Sequence, residues 1–348
     1  MKKKLKIILI VLLLAFIISE VYFRLTFPEQ LKDQSSPLIY EPDPVTSYRF
    51  IPNSEGVISK PGIGRRKVKI NSLGYFTPEF SVQKKPGTYR IVIVGTSTGS
   101  GIWMDGTSNF AMRLQEKFNK DKKNVEIVNC SLDGQGLGYG LLKLIESKVV
   151  NYEPDLVLLE FVMPVTTGAM QRESYKGYML QYYTDSSKAL AKQAIDELED
   201  KWLFRFAYDY SYTYRAWCRD YVFDNTDRKS VLIRTYKDKI SRIEEIDVNT
   251  FKFRKSLSLL KATSDSVARK GGRLVLYSYD KDNGTLTPYF RDSSLSVVYL
   301  NCQFKPEHVS RPDTHLNEHG HAVVADSLYN VLTTRNFFRD STNALSSR

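Results

Sequence analysis

The sequence is poor in cysteine, with only three among 348 residues. Cys130, Cys218 and Cys302 lie far apart and form no Cys-x-x-Cys pair or cysteine–histidine spacing typical of zinc sites. An odd number of distant cysteines also gives no disulfide framework. The sequence therefore predicts isolated thiols and no bound metal.

The glycine-rich turns lack the signatures of nucleotide-binding loops. After "GTSTG" (95–99) the chain continues with Gly101-Ile102-Trp103, where a P-loop requires Gly-Lys followed by Ser or Thr. Neither this turn nor "GQGLGYG" (134–140) gives G-x-G-x-x-G, and no suitable acidic residue closes a second strand. No cofactor is therefore predicted.

The charge is unbalanced, with a formal net charge of +11. Such an excess favours anionic surroundings, for example lipid headgroups or acidic glycans. The basic residues, however, form no stripe interleaved with aromatic side chains, as nucleic-acid-binding surfaces do. We therefore expect no nucleic-acid partner.

The first residues, "MKKKLKIILIVLLLAFIISEVYFRLTF", combine a lysine cluster with an apolar run from Ile7 to Ile18. A membrane span needs about 20 residues, a length reached by adding Leu5 and the segment 21–27. Glu20 and Arg24 would then lie near one interface, where long charged side chains can reach water. No small-x-small cleavage site follows, which favours an uncleaved anchor over a removed signal peptide. The lysines predict a cytoplasmic N-terminus and an extracytoplasmic remainder, in the periplasm or at the cell surface.

The rest of the chain divides by composition into a lead-in, a main domain and a tail. Residues 28–88 are rich in turn formers and predict an extended, hairpin-containing lead-in after the anchor at 1–27. From Tyr89, strand-like runs such as "RIVIVG", "VEIVNCS" and "PDLVLLEFV" alternate with amphipathic helical segments, which indicates a parallel sheet covered by helices. The domain is expected over 89–335, with a helical, aromatic insertion at about 171–247 and a loose tail at 336–348.

Two distant segments suggest nucleophilic catalysis. "GTSTG" matches the G-x-S-x-G pattern of a nucleophile elbow, a sharp strand-to-helix turn that exposes a serine, here Ser97. Near the other end, "RPDTHLNEHGH" places His315 in a polar loop before a helix, two residues after Asp313. Because a serine hydroxyl is a weak nucleophile, it needs such a base, and the base benefits from a carboxylate that orients it. For His319 and His321 the sequence favours structural roles.

Together, "KINSLGY", "KKPGTYRIVIVGTSTGSG" and "DTHLNEHGHAVVA" resemble the membrane-anchored branch of the SGNH (GDSL-type) hydrolases. The resemblance implies a three-layer α/β/α sandwich with a flavodoxin-like parallel sheet, and ester hydrolysis or acyl transfer through a serine acyl-enzyme. It also implies that Ser97 is the nucleophile and His315 the base. Gly134 would be the oxyanion glycine after the second strand, so that the backbone N–H groups of Ser97 and Gly134 would bind the oxyanion.

The sequence departs from the family pattern in two places that bear on catalysis. Pro164 stands where the family has an asparagine that donates to the oxyanion, and proline has no such donor. Thr166 or Thr167 is a candidate substitute. Pro312 stands where the family has its acid, so either Asp313 serves one position later or the serine and histidine work as a dyad.

The sequence therefore predicts an anchored, outward-facing SGNH-type esterase or acyltransferase. Its partners would be the bilayer and a lipid-like ester or an acylated glycan of the cell envelope. One alternative of another class is an SGNH-like domain of weak or no activity that serves as a binding or assembly component, which Pro164 motivates. An α/β-hydrolase would also explain G-x-S-x-G, but that fold needs several strands before its nucleophile, and residues 28–88 do not indicate them.

Overall fold

The fold is described from a computed structural model. It describes residues 2–26, 35–36, 39–60, 64–106, 108–133, 139–161, 171–175, 178–182, 188–189, 192–193, 196, 200–217, 251–282, 284, 287–291, 295–310, 315–335 and 337–338.

The strands in these residues are β1 (Ser35–Ser36), β2 (Tyr40–Asp43), β3 (Ser47–Phe50), β4 (Glu55–Lys60), β5 (Gly64–Lys69), β6 (Tyr89–Val94), β7 (Val125–Asn129), β8 (Leu156–Glu160), β9 (Gln171–Tyr175), β10 (Tyr178–Tyr182), β11 (Arg273–Ser278) and β12 (Ser296–Tyr299). The helices are α1 (Lys2–Thr26), α2 (Ser97–Ser100), α3 (Phe110–Lys120), α4 (Tyr139–Ser147), α5 (Trp202–Tyr210), α6 (Tyr212–Trp217), α7 (Phe251–Arg269), α8 (Thr287–Arg291) and α9 (Glu318–Thr334). Short 3₁₀ turns lie at Val149–Tyr152 and Pro306–His308, and residues 188–189, 192–193 and 196 are also helical.

Helix α1 contains one stretch, Lys3–Leu25, that is long and apolar enough to cross a membrane. Its mean hydropathy is 2.5, and none of its most apolar window is buried inside the protein. A helix of this length and composition also occurs in signal sequences, so α1 could be a membrane anchor or a signal sequence.

The central sheet is parallel and has the strand order β12-β11-β8-β6-β7. Counted in chain order within this sheet, the order is 2-1-3-4-5, which is the flavodoxin-like doubly wound arrangement. In such sheets, sites form at the carboxyl ends of the strands where the winding direction reverses, here between β6 and β8. A ligand site is therefore expected at the turns that follow β6 and β8.

Helices cover both faces of this sheet, because alternate residues of each strand point to opposite sides. From β6, Ile91 and Ile93 pack in one core with Phe110 and Leu114 of α3, and α3 contacts α9 on this side. The intervening side chains of β6 join a second core with residues of α4 and α7, which contact each other. The predicted three-layer α/β/α sandwich with a flavodoxin-like sheet is confirmed.

The lead-in packs onto the domain rather than lying apart from it. Its strands form two small antiparallel sheets, β1-β4-β5 and β2-β3. Tyr48, Phe50, Ile58 and Ile70 are fully buried and belong to the same core as Val92 of the central sheet. The lead-in therefore supplies part of the domain's hydrophobic core.

The described part of the insertion adds a hairpin to the helices that its composition predicts. It contains helices α5 and α6, but it begins with an antiparallel hairpin, β9–β10, which pairs over its whole length. Aromatic residues favour strands, and the hairpin contains three tyrosines, Tyr175 in β9 and Tyr178 and Tyr182 in β10. Strand β9 contacts β2 and β3, so the insertion meets the domain through the lead-in.

Candidate active site

The turn after β6 carries Ser97 at the start of a helical turn. Thr96 has extended backbone angles (φ −92°, ψ −150°) and α2 begins at the next residue, so the chain reverses abruptly from strand to helix. Because Ser97 is the first residue of α2, its backbone N–H lies outside the hydrogen bonds within the helix. The side chain is half-buried, as expected for the tip of such a turn.

Ser97 and His315 are in hydrogen-bond contact although 218 positions separate them in the sequence. The Oγ–Nε2 distance is 2.8 Å, within the range in which a histidine can take the proton of a serine hydroxyl. The backbone N–H of Ser310 donates to the His315 carbonyl oxygen at 2.9 Å. Trp103 lies edge-on to the imidazole, with ring centroids 6.4 Å apart. The backbone of His315 is therefore fixed by a hydrogen bond, and its ring lies beside Trp103.

Helix α9 starts two residues after Leu316 with a well-formed cap. The side chain of Asn317 accepts hydrogen bonds from the backbone N–H groups of His319 and Gly320 at 3.0 and 3.2 Å. Such a cap satisfies donors that the first helical turn leaves free. The cap fixes the point where the chain leaves the His315 loop and enters the helix.

Glu160, the last residue of β8, lies directly under the Ser97 turn. Its Oε2 accepts hydrogen bonds from the Thr96 backbone N–H at 2.6 Å and from Thr96 Oγ1 at 3.0 Å. Burial raises the pKa of this carboxyl group, and the hydrogen bonds from Thr96 oppose that rise. Sequence reasoning missed Glu160, although an acid at the end of the apolar run "LVLLE" was a visible signal.

The glycines of "GTSTG" are explained by close approach of other side chains. A Cβ atom on Gly95 would lie 2.4 Å from Glu160 Oε2, and one on Gly99 would lie 2.8 Å from Ser131 Oγ. Real Cβ atoms essentially never approach heavy atoms this closely. The pattern therefore reflects the packing of two neighbouring strand ends against the turn.

The loop after β7 is joined to the same turn by hydrogen bonds. Asn129 Nδ2 donates to the Gly99 carbonyl oxygen at 2.9 Å, and the backbone N–H of Leu132 donates to the Gly95 carbonyl oxygen at 3.0 Å. Further along this loop, Asp133 is buried. The first residues after β7 therefore have fixed positions relative to Ser97.

Two tyrosines of the lead-in hold Asp133 from the other side. The Tyr40 hydroxyl donates to Asp133 Oδ2 at 3.1 Å, and the Tyr48 hydroxyl donates to the Asp133 carbonyl oxygen. Both rings are buried. Sequence reasoning did not connect the lead-in with the site, because these contacts span 93 and 85 positions.

The structure describes only part of the predicted site. It brings Ser97 and His315 together. Asp313, Gly134, Thr166 and Thr167 lie outside the described residues, and so does Pro164.

His319 and His321, which follow His315 closely in the sequence, have different environments. His321 is buried, stacks on the Phe110 ring and accepts the Phe110 backbone N–H on Nδ1 at 3.2 Å. Burial, with smaller effects from the charges of Arg113 and His315, lowers the pKa of His321 to about 3. His319 is exposed. Among the described residues, no group of three or more His, Cys, Asp or Glu side chains could hold a metal ion.

No protein-family model and no curated protein matches the sequence. Solved structures that align with it include TesA, at 9% identity and a TM-score of 0.39, over 70% of this chain and 98% of that protein. The esterase EstA from Pseudoalteromonas sp., inhibited by monoethylphosphonate, aligns at 14% identity and a TM-score of 0.40, over 71% and 97% of the two chains. A putative lipolytic protein of the G-D-S-L family from Desulfitobacterium hafniense aligns at 12% identity and a TM-score of 0.37, over 70% and 100%.

The fold itself agrees with the family that the sequence resembles. The parallel sheet has the order 2-1-3-4-5, Ser97 follows the first strand of that sheet, and His315 precedes the last helix. By this strand order, and by the positions of these two residues within it, the chain has the fold of the SGNH hydrolases.

Proposed function

We propose that the protein is a serine esterase or acyltransferase in which Ser97 attacks an ester carbonyl. The observation that carries the proposal is the 2.8 Å contact between Ser97 Oγ and His315 Nε2. A serine activated by an adjacent histidine is the basic unit of nucleophilic acyl transfer. The position of this pair at the reversal point of the sheet supports a ligand site there.

The reaction proceeds through two symmetrical halves. Ser97 Oγ attacks the carbonyl carbon while His315 Nε2 takes the hydroxyl proton, which gives a tetrahedral oxyanion. His315 then returns the proton to the leaving alcohol, and the acyl group remains on Ser97. Water or an acceptor alcohol next attacks the acyl-enzyme and gives its proton to His315. The bond between the acyl group and Ser97 Oγ then breaks, and His315 returns the proton to Oγ, which releases a carboxylic acid or a new ester and restores the serine.

The oxyanion would be bound by the backbone N–H groups of Ser97 and Gly134. The Ser97 N–H is available because it starts α2. For Gly134 the support comes from its neighbour Asp133, which the lead-in and the β7 loop hold against the turn. Because Pro164 supplies no donor, we propose Thr166 or Thr167 as the third.

Asp313 is proposed to orient the His315 ring through its second nitrogen. A carboxylate in this role also stabilises the imidazolium that forms during attack. If Asp313 does not serve, the pair acts as a Ser-His dyad, and the two arrangements differ in how much activity Asp313→Asn removes.

We further propose that α1 anchors the enzyme and that the substrate is an acylated glycan or a lipid-like ester of the cell envelope. The apolar stretch Lys3–Leu25 and the lysines at its start support an anchor with the domain outside the cytoplasm. The net charge of +11 suits anionic surroundings of this kind.

A fluorophosphonate probe tests the proposed chemistry, because it reacts with serines that a base activates. We expect the full chain in detergent to be labelled, and the labelled peptide to carry the probe on Ser97. Ser97→Ala should abolish labelling, whereas Ser100→Ala, one helical turn away, should retain it. Absence of labelling above the Ser97→Ala background would contradict the enzyme and favour the binding or assembly role that Pro164 motivates.

A further inference from the structure

Helix α5 exposes an apolar, mostly aromatic face to solvent. Trp202, Leu203, Phe206 and Tyr210 are 77%, 59%, 57% and 66% exposed. At about 100° per residue these four side chains fall within about 100° of arc, so they form one face of the helix. A contiguous, solvent-exposed face of large apolar side chains is typical of an interaction site.

This helix is joined to the end of α1 through hydrogen bonds. The Glu20 carboxylate accepts the backbone N–H groups of Tyr212 and Thr213, each at 3.0 Å, and the Ser211 hydroxyl at 2.9 Å. Glu20 therefore caps the first turn of α6, which follows α5 after a single residue. The contact links α1 to the insertion across more than 190 positions.

Arg24 extends the same connection to α5 itself. Its guanidinium donates to the Tyr210 carbonyl oxygen at 3.1 Å and to Glu20 at 2.9 Å, and it lies 4.8 Å from the Tyr212 ring centroid. A cation at a helix C-terminus binds carbonyl groups that have no partner within the helix. The two charged residues that follow the apolar run of α1 thus both bind the α5–α6 junction.

The contacts of Glu20 and Arg24 with the α5–α6 junction show where along α1 this junction lies. Glu20 and Arg24 follow the end of the continuous apolar run Ile7–Ile18 of α1. If α1 spans a membrane, these two residues therefore lie at the depth of the membrane interface. Tyr22 and Leu25, which lie beside Glu20 and Arg24 in the sequence of α1, are also exposed. Lys201, just before α5, is exposed and adds a positive charge.

We propose that α5 lies in the headgroup–acyl boundary of the bilayer that α1 spans, with its aromatic face buried in the lipid. Trp and Tyr favour this boundary, because their rings are apolar while their N–H and O–H groups remain hydrated. Short amphipathic helices bind there through their apolar face, and basic residues attract anionic headgroups. The inference rests on the proposed anchoring of α1 but not on the chemistry at Ser97.

Such a contact gives the domain a second attachment to the membrane. A lone anchor with a flexible connection would let the domain rotate freely. Here the insertion touches the lipid at α5 and touches the domain where β9 contacts β2 and β3. The active site would therefore keep a fixed range of heights above the bilayer.

Depth-dependent quenching of Trp202 tests the proposal on the full chain in vesicles of phosphatidylcholine and phosphatidylglycerol. Trp103→Phe and Trp217→Phe leave Trp202 as the one tryptophan, since the sequence has three. We expect a blue-shifted emission and stronger quenching by lipids brominated near the headgroup end of the acyl chain than by lipids brominated near its methyl end. The matched control keeps Trp103 alone and should show no quenching, because that ring is buried in the domain.

Two further measurements separate the possible failures. Carbonate extraction tests α1: a chain that stays in the vesicles while Trp202 remains unquenched would overturn the inference and leave the anchor standing. Release by carbonate would overturn both. Adding Phe206→Glu to the Trp202 variant should reduce quenching at least twofold, whereas Phe206→Glu in the otherwise unchanged chain, which keeps Trp103 beside His315, should leave fluorophosphonate labelling intact. Unchanged quenching would contradict burial of this face.

Discussion

At the Ser97 hydroxyl, the proposed chemistry depends on one neighbouring nitrogen, His315 Nε2. His315→Gln removes the proposed base, so we expect kcat/KM for p-nitrophenyl acetate to fall by about 10³-fold, within the usual contribution of a general base. His319→Gln is the matched control, because that side chain is exposed and only its backbone N–H is used in the α9 cap. Equal activity in the two variants would refute the role of His315.

His321 predicts a pH dependence of stability that is separate from catalysis. Its pKa in the folded protein is lowered from 6.5 to about 3, so between these values the unfolded chain binds a proton that the folded chain does not. The unfolding free energy should therefore fall as pH decreases from 6.5 towards 3, by up to about 1.4 kcal/mol per unit from this residue.

Comparison with His321→Asn isolates this contribution. Asparagine keeps an acceptor near the position of Nδ1 for the Phe110 N–H but does not titrate. Urea unfolding at several pH values should give a difference between the two proteins that shrinks as the pH is lowered. A difference that stays constant over this range would contradict the buried, neutral state of His321.

At the scale of elements, the Ser97 turn and the end of β8 form one unit. Gly95→Ala would place a Cβ atom 2.4 Å from Glu160 Oε2 and 3.0 Å from Glu160 Cβ. We expect it to displace Glu160, break the bonds to Thr96 and lower the rate of fluorophosphonate labelling at least tenfold. Gly106→Ala is the matched control, because its nearest neighbour would be 3.9 Å away.

A double-mutant cycle separates this contact from general damage to the turn. Glu160→Ala alone leaves the half-buried Thr96 N–H without its acceptor, which costs about 1 kcal/mol. With the carboxylate already absent, Gly95→Ala loses its closest contact, the 2.4 Å approach to Oε2, while the 3.0 Å approach to the Cβ at position 160 remains. The double variant should therefore be less impaired than the sum of the two single variants. Additive losses in labelling rate and unfolding free energy would show that the two residues act independently.

The elements that were predictable from the sequence are those whose signal is local. Continuous apolar runs predicted β6, β7 and β8, and the apolar spacing of Phe110, Leu114 and Phe118 predicted α3, because periodicity is set within a few residues. The contact between Glu160 and Thr96 was not predictable, because it depends on the register of two strands 64 positions apart. Hairpin β9–β10 was missed because "QRESY" and "YMLQY" lack the alternation of apolar and polar residues that identifies a strand.

At the scale of the whole molecule, the site is assembled from segments at both ends of the chain. Ser97 and His315 were candidates from their motifs, but their contact depends on the closing helix α9 packing beside α3. The role of the lead-in was not predictable for the same reason. Tyr40 and Tyr48 reach Asp133 only when the two small sheets have packed onto the central domain. Docking is a property of complementary surfaces, and no local pattern encodes it.

The lead-in should therefore affect catalysis without touching the substrate. Tyr48→Phe keeps the buried ring but removes the hydroxyl that donates to the Asp133 carbonyl oxygen. A net loss of about 1 kcal/mol would loosen the loop that leads to Gly134, and we expect kcat to fall about fivefold with KM nearly unchanged, because an oxyanion donor acts mainly in the transition state.

Tyr89→Phe is the matched control for this substitution. Its hydroxyl also donates to a backbone carbonyl oxygen, that of Phe337 at 2.8 Å, but at the start of β6, the opposite end of the strand from Ser97. The two variants should lose similar amounts of stability in urea, whereas only Tyr48→Phe should lower kcat. If both lower kcat equally, the effect is one of general stability; if neither does, the lead-in only fills the core. A selective loss would mean that the segment between α1 and the sheet sets the geometry of the oxyanion loop.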